Sequence, residues 1–175
     1  MVTGLKFGQV PCLIVDGKEI FQSAAIFRYI AQTFDASGSL YPTDPAIASE
    51  VDGLLDQIKD MLQSWGPLRY RERFGFGVED CPDVVADKCR KTYLTEVMPR
   101  HLSFFDKQLT TDPSTPYLLG SSPTIADFAL ACQLKTFVDN EFDGIKVKMP
   151  TSIIKLLAAI EALPAVVAFR ASEAK

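Results

Sequence analysis

Apolar and polar positions follow two different rhythms along this chain. Residues 10–34 open with two short runs. "PCLIV" (Pro11 to Val15) and "EIF" (Glu19 to Phe21) are separated by "DGK", a turn signal, so a β-hairpin is predicted. "SAAIFRYIAQTF" then changes period, with Ala24, Phe27, Ile30, Ala31 and Phe34 at helical spacing. The turn-rich stretch "DASGSLYPTDP" reads as a linker that closes near Pro45.

Beyond it the pattern is helical throughout. Ile47, Val51, Leu54, Leu55, Ile58, Met61, Leu62 and Trp65 form an i, i+3/i+4, i+7 stripe over residues 46–65. Residues 66–81 hold Gly66, Pro67, Gly75 and Gly77 and read as a loop or a broken helix end. A long helix is predicted over about residues 83–109, carrying Val84, Val85, Cys89, Tyr93, Val97, Phe104 and Phe105, with a kink or junction at Pro99. "TTDPSTP" is a loop. A further helix runs from the "SPTIAD" stretch to about Val138, one more ends before Pro164, and a short helix closes the chain. The expected architecture is a small α/β piece followed by an all-helical part.

Composition narrows this picture. Of 175 residues, 47% are hydrophobic and 23% charged, enough for a packed core. The net charge of −4, with basic residues only in short mixed clusters such as "RYRERF" (Arg69 to Phe74), argues against nucleic-acid binding. No apolar run reaches membrane-spanning length and the N-terminus lacks a signal-peptide pattern, so a cytoplasmic location is expected. Cys12, Cys81, Cys89 and Cys132 form no CxxC pair and share no metal-ligand spacing with the single His101; no metal site is expected. The scatter fits reduced thiols, although an even count leaves disulfides open. His101 reads as a surface or packing residue, and Cys12 as a core one.

Two stretches carry chemistry. In "SSPTIADFALACQL" (Ser121 to Leu134), Thr124 and Asp127 form a T-x-x-D capping box before an apolar helix. A buried helix start needs its amides satisfied by side chains, so both residues read as structural. In "FGQVPCLIVDGKEIFQSAAIFRYIA" (Phe7 to Ala31), the Val10–Pro11 bond is a candidate cis peptide. A cis bond would leave the Val10 amide and carbonyl facing outward, open to an extended peptide ligand. Gln22-Ser23 falls where strand gives way to helix. Ser23 either caps its own helix or joins the first-turn amides in binding a carboxylate.

Together, "FGQVP", "DGKEIFQSAAIFRYIA" and "YLLGSSPTIADFALA" resemble the glutathione transferase family, most of all its sigma-class-like branch. The resemblance implies a partial thioredoxin-like domain over residues 1–36, a linker at 37–45 and an all-helical C-terminal domain over 46–175, usually in a homodimer. It implies glutathione as co-substrate, with Val10 and Pro11 at the cysteinyl backbone and Gln9 near the glycyl end. Gln22 and Ser23 would hold the γ-glutamyl carboxylate. Asp60 matches an acid that reaches a partner subunit's glutathione, or is a solvated helix residue. Trp65, with the nearby "GPLRY", would wall the electrophile pocket, or serves as core or interface.

In that family a strand-helix-strand unit, of roughly 30 or more residues, precedes the "FGQVP" element and supplies the catalytic Tyr, Ser or Cys. Here six residues precede Phe7, and no catalytic residue is assigned. Tyr29, Tyr41, Tyr70, Tyr93 and Tyr117 are in the wrong elements to replace it. Two functions are therefore expected to compete. One is glutathione conjugation to a small apolar electrophile, or glutathione-dependent isomerisation, in detoxification, provided the native chain includes that strand-helix-strand segment. The other is a non-catalytic structural subunit whose exposed strand edge is covered by a partner protein.

Overall fold

The computed structural model describes residues 4–69, 75, 77, 83–140 and 144–173. Tyr70, Cys81 and the basic cluster that begins at Arg69 lie wholly or largely outside them. A two-stranded antiparallel sheet is followed by helices alone, a thioredoxin-like N-terminal piece joined to a helical C-terminal body.

Strands β1 (Cys12–Val15) and β2 (Lys18–Phe21) pair in the register Cys12–Phe21, Leu13–Ile20, Ile14–Glu19 and Val15–Lys18. The turn works because Asp16 and Gly17 both take positive φ, 48° and 74°, as a two-residue hairpin of the right twist requires. Helix α1 (Ser23–Phe34) follows directly. The expected apolar face of α1 is only partly buried. Ala31 enters the core and Ala24 and Phe27 pack at its margin, but Ile30 and Phe34 are exposed. The helical body meets α1 from one side only, and the stripe is wider than that contact.

The linker is tied down. Asp35 accepts hydrogen bonds from the Ser37 amide and hydroxyl and from the Leu40 amide, and the Leu40 carbonyl accepts from the Ile125 amide at 2.9 Å. Helix α2 (Pro45–Gln63) begins with Asp44 accepting from the amides of Ala46 and Ile47 and with Pro45 in the first turn, where its missing N–H costs nothing. It buries Val51, Leu55, Ile58 and Met61, the inner line of the predicted stripe. At about 1.5–3 kcal/mol for each large apolar side chain, that line holds α2 in place. Helix α3 (Gly66–Arg69) is a single turn.

The long helix differs from expectation in an informative way. It runs as α4 (Asp83–Thr92), a π-helical turn (Tyr93–Val97) and α5 (Met98–Thr111). Pro99 has no N–H and its ring crowds the carbonyl four residues back, and the wider turn just before it absorbs that conflict without ending the helix. The extra residue also shifts the phase. Val84, Val85, Cys89 and Phe104 of the expected stripe are exposed, while Tyr93, Leu94, Met98, His101, Leu102, Phe105 and Leu109 are buried.

Helix α6 (Ile125–Asp139) is the axis of the body; Ala126, Leu130 and Leu134 are fully enclosed. Helix α7 (Thr151–Glu161) adds Ile153, Leu156 and Ile160, and α8 (Pro164–Glu173) lies on the outside with Arg170 bonded to Glu161. Among the described residues, no single helix is long and apolar enough to cross a membrane.

Candidate functional site

The sheet and the start of α1 form one surface. Val10–Pro11 is a cis peptide bond. Val10 is 71% exposed, and among the described residues neither its amide nor its carbonyl has a hydrogen-bond partner. Phe7 packs on Phe21 with ring centroids 4.6 Å apart, which holds the segment before Val10 against β2. Burial, helped by Glu19, pushes the Cys12 thiol above its ordinary pKa, so Cys12 is a poor thiolate, but it is half-buried and lies outside the buried core, contrary to the core expectation.

Where β2 turns into α1, Gln22 takes φ 71° and ψ 125°, a conformation that a side chain rarely adopts. Such residues cost about 1–3 kcal/mol and persist where the surroundings impose them. Gln22, not Ser23, is the capping residue: its carbonyl accepts the Ile26 amide at 3.0 Å, and no side chain caps the helix. The alternative in which Ser23 satisfies its own helix as N-cap is thus corrected. Ser23 is the first helical residue, exposed, and its hydroxyl makes no hydrogen bond among the described residues. The first-turn amides therefore face outward with the positive end of the helix dipole behind them.

Gln9, Val10, Pro11 and Gln22, with Phe7 and Phe21, line one shallow recess of about 30 Å³, and Ser23 adjoins it in sequence. Five of the six residues assigned to glutathione by resemblance are thus gathered at one corner. Asp60 is elsewhere, exposed on α2. Trp65 is half-buried, its ring 4.8 Å from that of Tyr93 and 6.3 Å from that of Phe137, at the margin of the core.

His101 is a packing residue. It is buried, pairs its Nδ1 with Gln57 Nε2 at 2.8 Å, and meets the edge of Phe104. Burial, then the neighbouring Arg100, holds its pKa below the ordinary value, against a smaller opposing pull from Asp60.

The capping box at α6 is formed, and its well-made bonds all end on the carboxylate. Asp127 accepts from the Thr124 amide (2.7 Å), the Thr124 hydroxyl (2.9 Å) and the Leu118 amide (2.8 Å). Burial raises the Asp127 pKa, and these hydrogen bonds oppose that rise.

One cluster escaped the reading of the sequence. Arg28 Nε of α1 donates to Asp52 Oδ1 of α2 at 2.7 Å, and the Tyr41 hydroxyl lies 3.2 Å from both carboxylate oxygens. The available signal was that Arg28 is the lone charge in a twelve-residue helix, a placement that calls for a partner.

The family follows from comparison with known proteins. Residues 79–173 match the glutathione S-transferase C-terminal domain, and residues 3–32 match the glutathione S-transferase N-terminal domain. The chain belongs to the glutathione transferase family. It is 33% identical over 131 residues to glutathione S-transferase 1 of Ascaris suum, covering 75% of this chain and 58% of that protein. It is 27% identical over 137 residues to glutathione S-transferase 2 of Caenorhabditis elegans, covering 78% and 68%. The fold matches the glutathione S-transferase structure from Ascaris lumbricoides with a TM-score of 0.64 at 27% identity, over 96% of this chain and 76% of that one. It matches the NaGST1 structure with a TM-score of 0.75, also at 27% identity, over 94% and 74%. The chain spans only 58% and 60% of the length of two of its nematode relatives.

Proposed function

We propose that this chain binds glutathione at the corner formed by Val10 and the start of α1, as part of a transferase that adds the glutathione thiolate to a small apolar electrophile or isomerises one. The observation that carries the proposal is the exposed, unpaired Val10 backbone beside the uncapped first turn behind Gln22 and Ser23. A peptide ligand that runs antiparallel to Val10 satisfies that amide and carbonyl. Its γ-glutamyl carboxylate then meets the Ser23 hydroxyl and the α1 amides, where helix-start dipoles favour an anion. Gln9 is assigned to the glycyl end, Asp60 to a second subunit's glutathione in a homodimer, and Trp65 to the electrophile side. The residues assigned here bind and orient; the group that holds the sulfur as thiolate is not among them.

The test is retention of the full chain on immobilised glutathione, with elution by free glutathione. Retention by the parent and a marked loss in Ser23→Ala are expected. A parent that flows through would falsify the reading.

A specific observation favours a second reading. Among the described residues β1 pairs on one side only, and Ile14 at its centre is 61% exposed, a combination that invites another chain. In this reading the protein is a non-catalytic subunit whose strand edge is covered by a partner. Co-purification in an assembly of fixed stoichiometry, with no conjugation of a chlorinated nitrobenzene, would support it. An active, monodisperse homodimer would eliminate it.

A further inference from the structure

We propose that Arg28, acting through Asp52, is a positioning residue for the ligand-facing end of α1. The inference rests on the glutathione reading above and adds a residue pair to it. Helix α1 fully buries only Ala31, near its C-terminal end, while Ala24 and Phe27 are partly buried at the core margin, so packing holds the ligand-facing end less firmly than the other. The same end is secured a second time, because Asp35 holds the Leu40 amide and the Leu40 carbonyl holds Ile125. The opposite end carries Gln22 and Ser23 and has no side-chain cap.

Between these ends the Arg28 side chain makes, among the described residues, the one ion pair that leaves α1, to Asp52 in the middle of α2. Tyr41 steadies that carboxylate from the linker side. Arg28 lies five residues beyond Ser23, roughly 7.5 Å along the axis at 1.5 Å per residue. With the far end pinned at Ala31 and Asp35, the pair limits how far α1 can tilt on that pivot. The tilt moves Ser23 and the first-turn amides relative to Val10, which sits on the other side of the sheet connection. A carboxylate and a peptide backbone held by one ligand require both to stay at fixed spacing, so loosening the tether lowers affinity without removing any ligand contact.

The experiment uses the full chain. Reduced glutathione is titrated calorimetrically into the parent, Ser23→Ala, Arg28→Ala, Arg28→Lys, Asp52→Asn, the double variant Arg28→Ala with Asp52→Asn, and the exchanged pair Arg28→Asp with Asp52→Arg. In parallel, amide hydrogen exchange at Ile26 and Phe27 is followed without ligand. Arg28→Ala and Asp52→Asn should each weaken binding at least about fivefold, the low end of ordinary site-to-site coupling. Combining them should cost no more than either alone, and Arg28→Lys or the exchanged pair should recover part of the loss. Exchange at Ile26 and Phe27 should quicken in the weakened variants while α6 is unchanged. Parent-like affinity in Arg28→Ala and Asp52→Asn, with Ser23→Ala impaired, overturns the positioning role and leaves the glutathione site standing. Absence of binding by the parent itself overturns the glutathione reading. The exchange rates then still decide the tether: unchanged rates in Asp52→Asn refute it.

Discussion

The Leu118 amide donates to Asp127 Oδ1 at 2.8 Å, so the start of the central helix is fastened to the loop that precedes it. The other carboxylate oxygen takes the amide and hydroxyl of Thr124. Three donors converge on one fully enclosed side chain, and no water can replace it. Replacing Asp127 with Ala strands the Leu118 and Thr124 amides. Each buried donor left unsatisfied costs about 1–3 kcal/mol, so a total loss of about 3 kcal/mol is expected. Asp127→Asn should fall between, because its carbonyl serves one donor while its amino group opposes another. The midpoint and slope of urea unfolding measure both.

His101 supplies a pH test. It is the only histidine, so few other side chains titrate between pH 5 and 7. Its folded pKa lies below the ordinary value because burial disfavours the cation. The neutral ring is therefore the form that suits the fold. Its contribution is intact above the unfolded pKa of about 6.5 and is lost as pH falls from there through the folded pKa. Unfolding free energy should decline over that window, at no more than about 1.4 kcal/mol per pH unit for one proton. In His101→Gln, which keeps an amide partner for Gln57, the decline should flatten. An unchanged profile would assign the pH dependence to other groups.

The sequence made the regular elements legible because their causes are local. "DGK" calls for two positive φ values in a row, and Asp16 and Gly17 adopt them. Asp127 is three residues from Thr124, so the cap could be read directly. What escaped were consequences of contacts between distant segments. Phe104 and Phe105 are equally apolar, yet only the second is buried, because the π turn at Tyr93–Val97 rotates α5 relative to α4. Periodicity cannot reveal an insertion that is accommodated inside the helix. Ser23 illustrates the same limit at the candidate site: a serine at a strand-helix junction looks like a cap, and only the backbone of Gln22 moves it into the first turn. Arg28 and Asp52 are 24 residues apart, and nothing in either neighbourhood names the other.

Tyr93 is the first residue of the π turn, with its hydroxyl donating to the Met61 carbonyl at 3.1 Å and its ring against Trp65. Burial pushes its pKa up to about 12. In an ultraviolet titration of the native protein, one of the five tyrosines should ionise later than the rest, near that value. A folded-state pKa raised above the unfolded one means that the contribution to stability is present at lower pH and is lost as pH rises from about 10 toward 12. Tyr93→Phe should remove the late step. It should also cost about 1 kcal/mol at neutral pH, the net value of one hydrogen bond.

Gln22 sets stability against binding. Its φ of 71° is one that glycine reaches without a Cβ penalty and glutamine does not. Gln22→Gly therefore relieves about 1–3 kcal/mol of local strain, and gives back about 0.5–1 kcal/mol through the greater freedom of the unfolded chain. The expected balance is a small gain, read as a rise in the thermal midpoint. The same change removes the side-chain amide assigned to the γ-glutamyl carboxylate and frees the backbone that presents Ser23, so retention on immobilised glutathione should fall. A variant that is both more stable and weaker in retention indicates that the strained conformation serves the ligand. Equal retention would mean that Gln22 holds its unusual backbone for the fold alone.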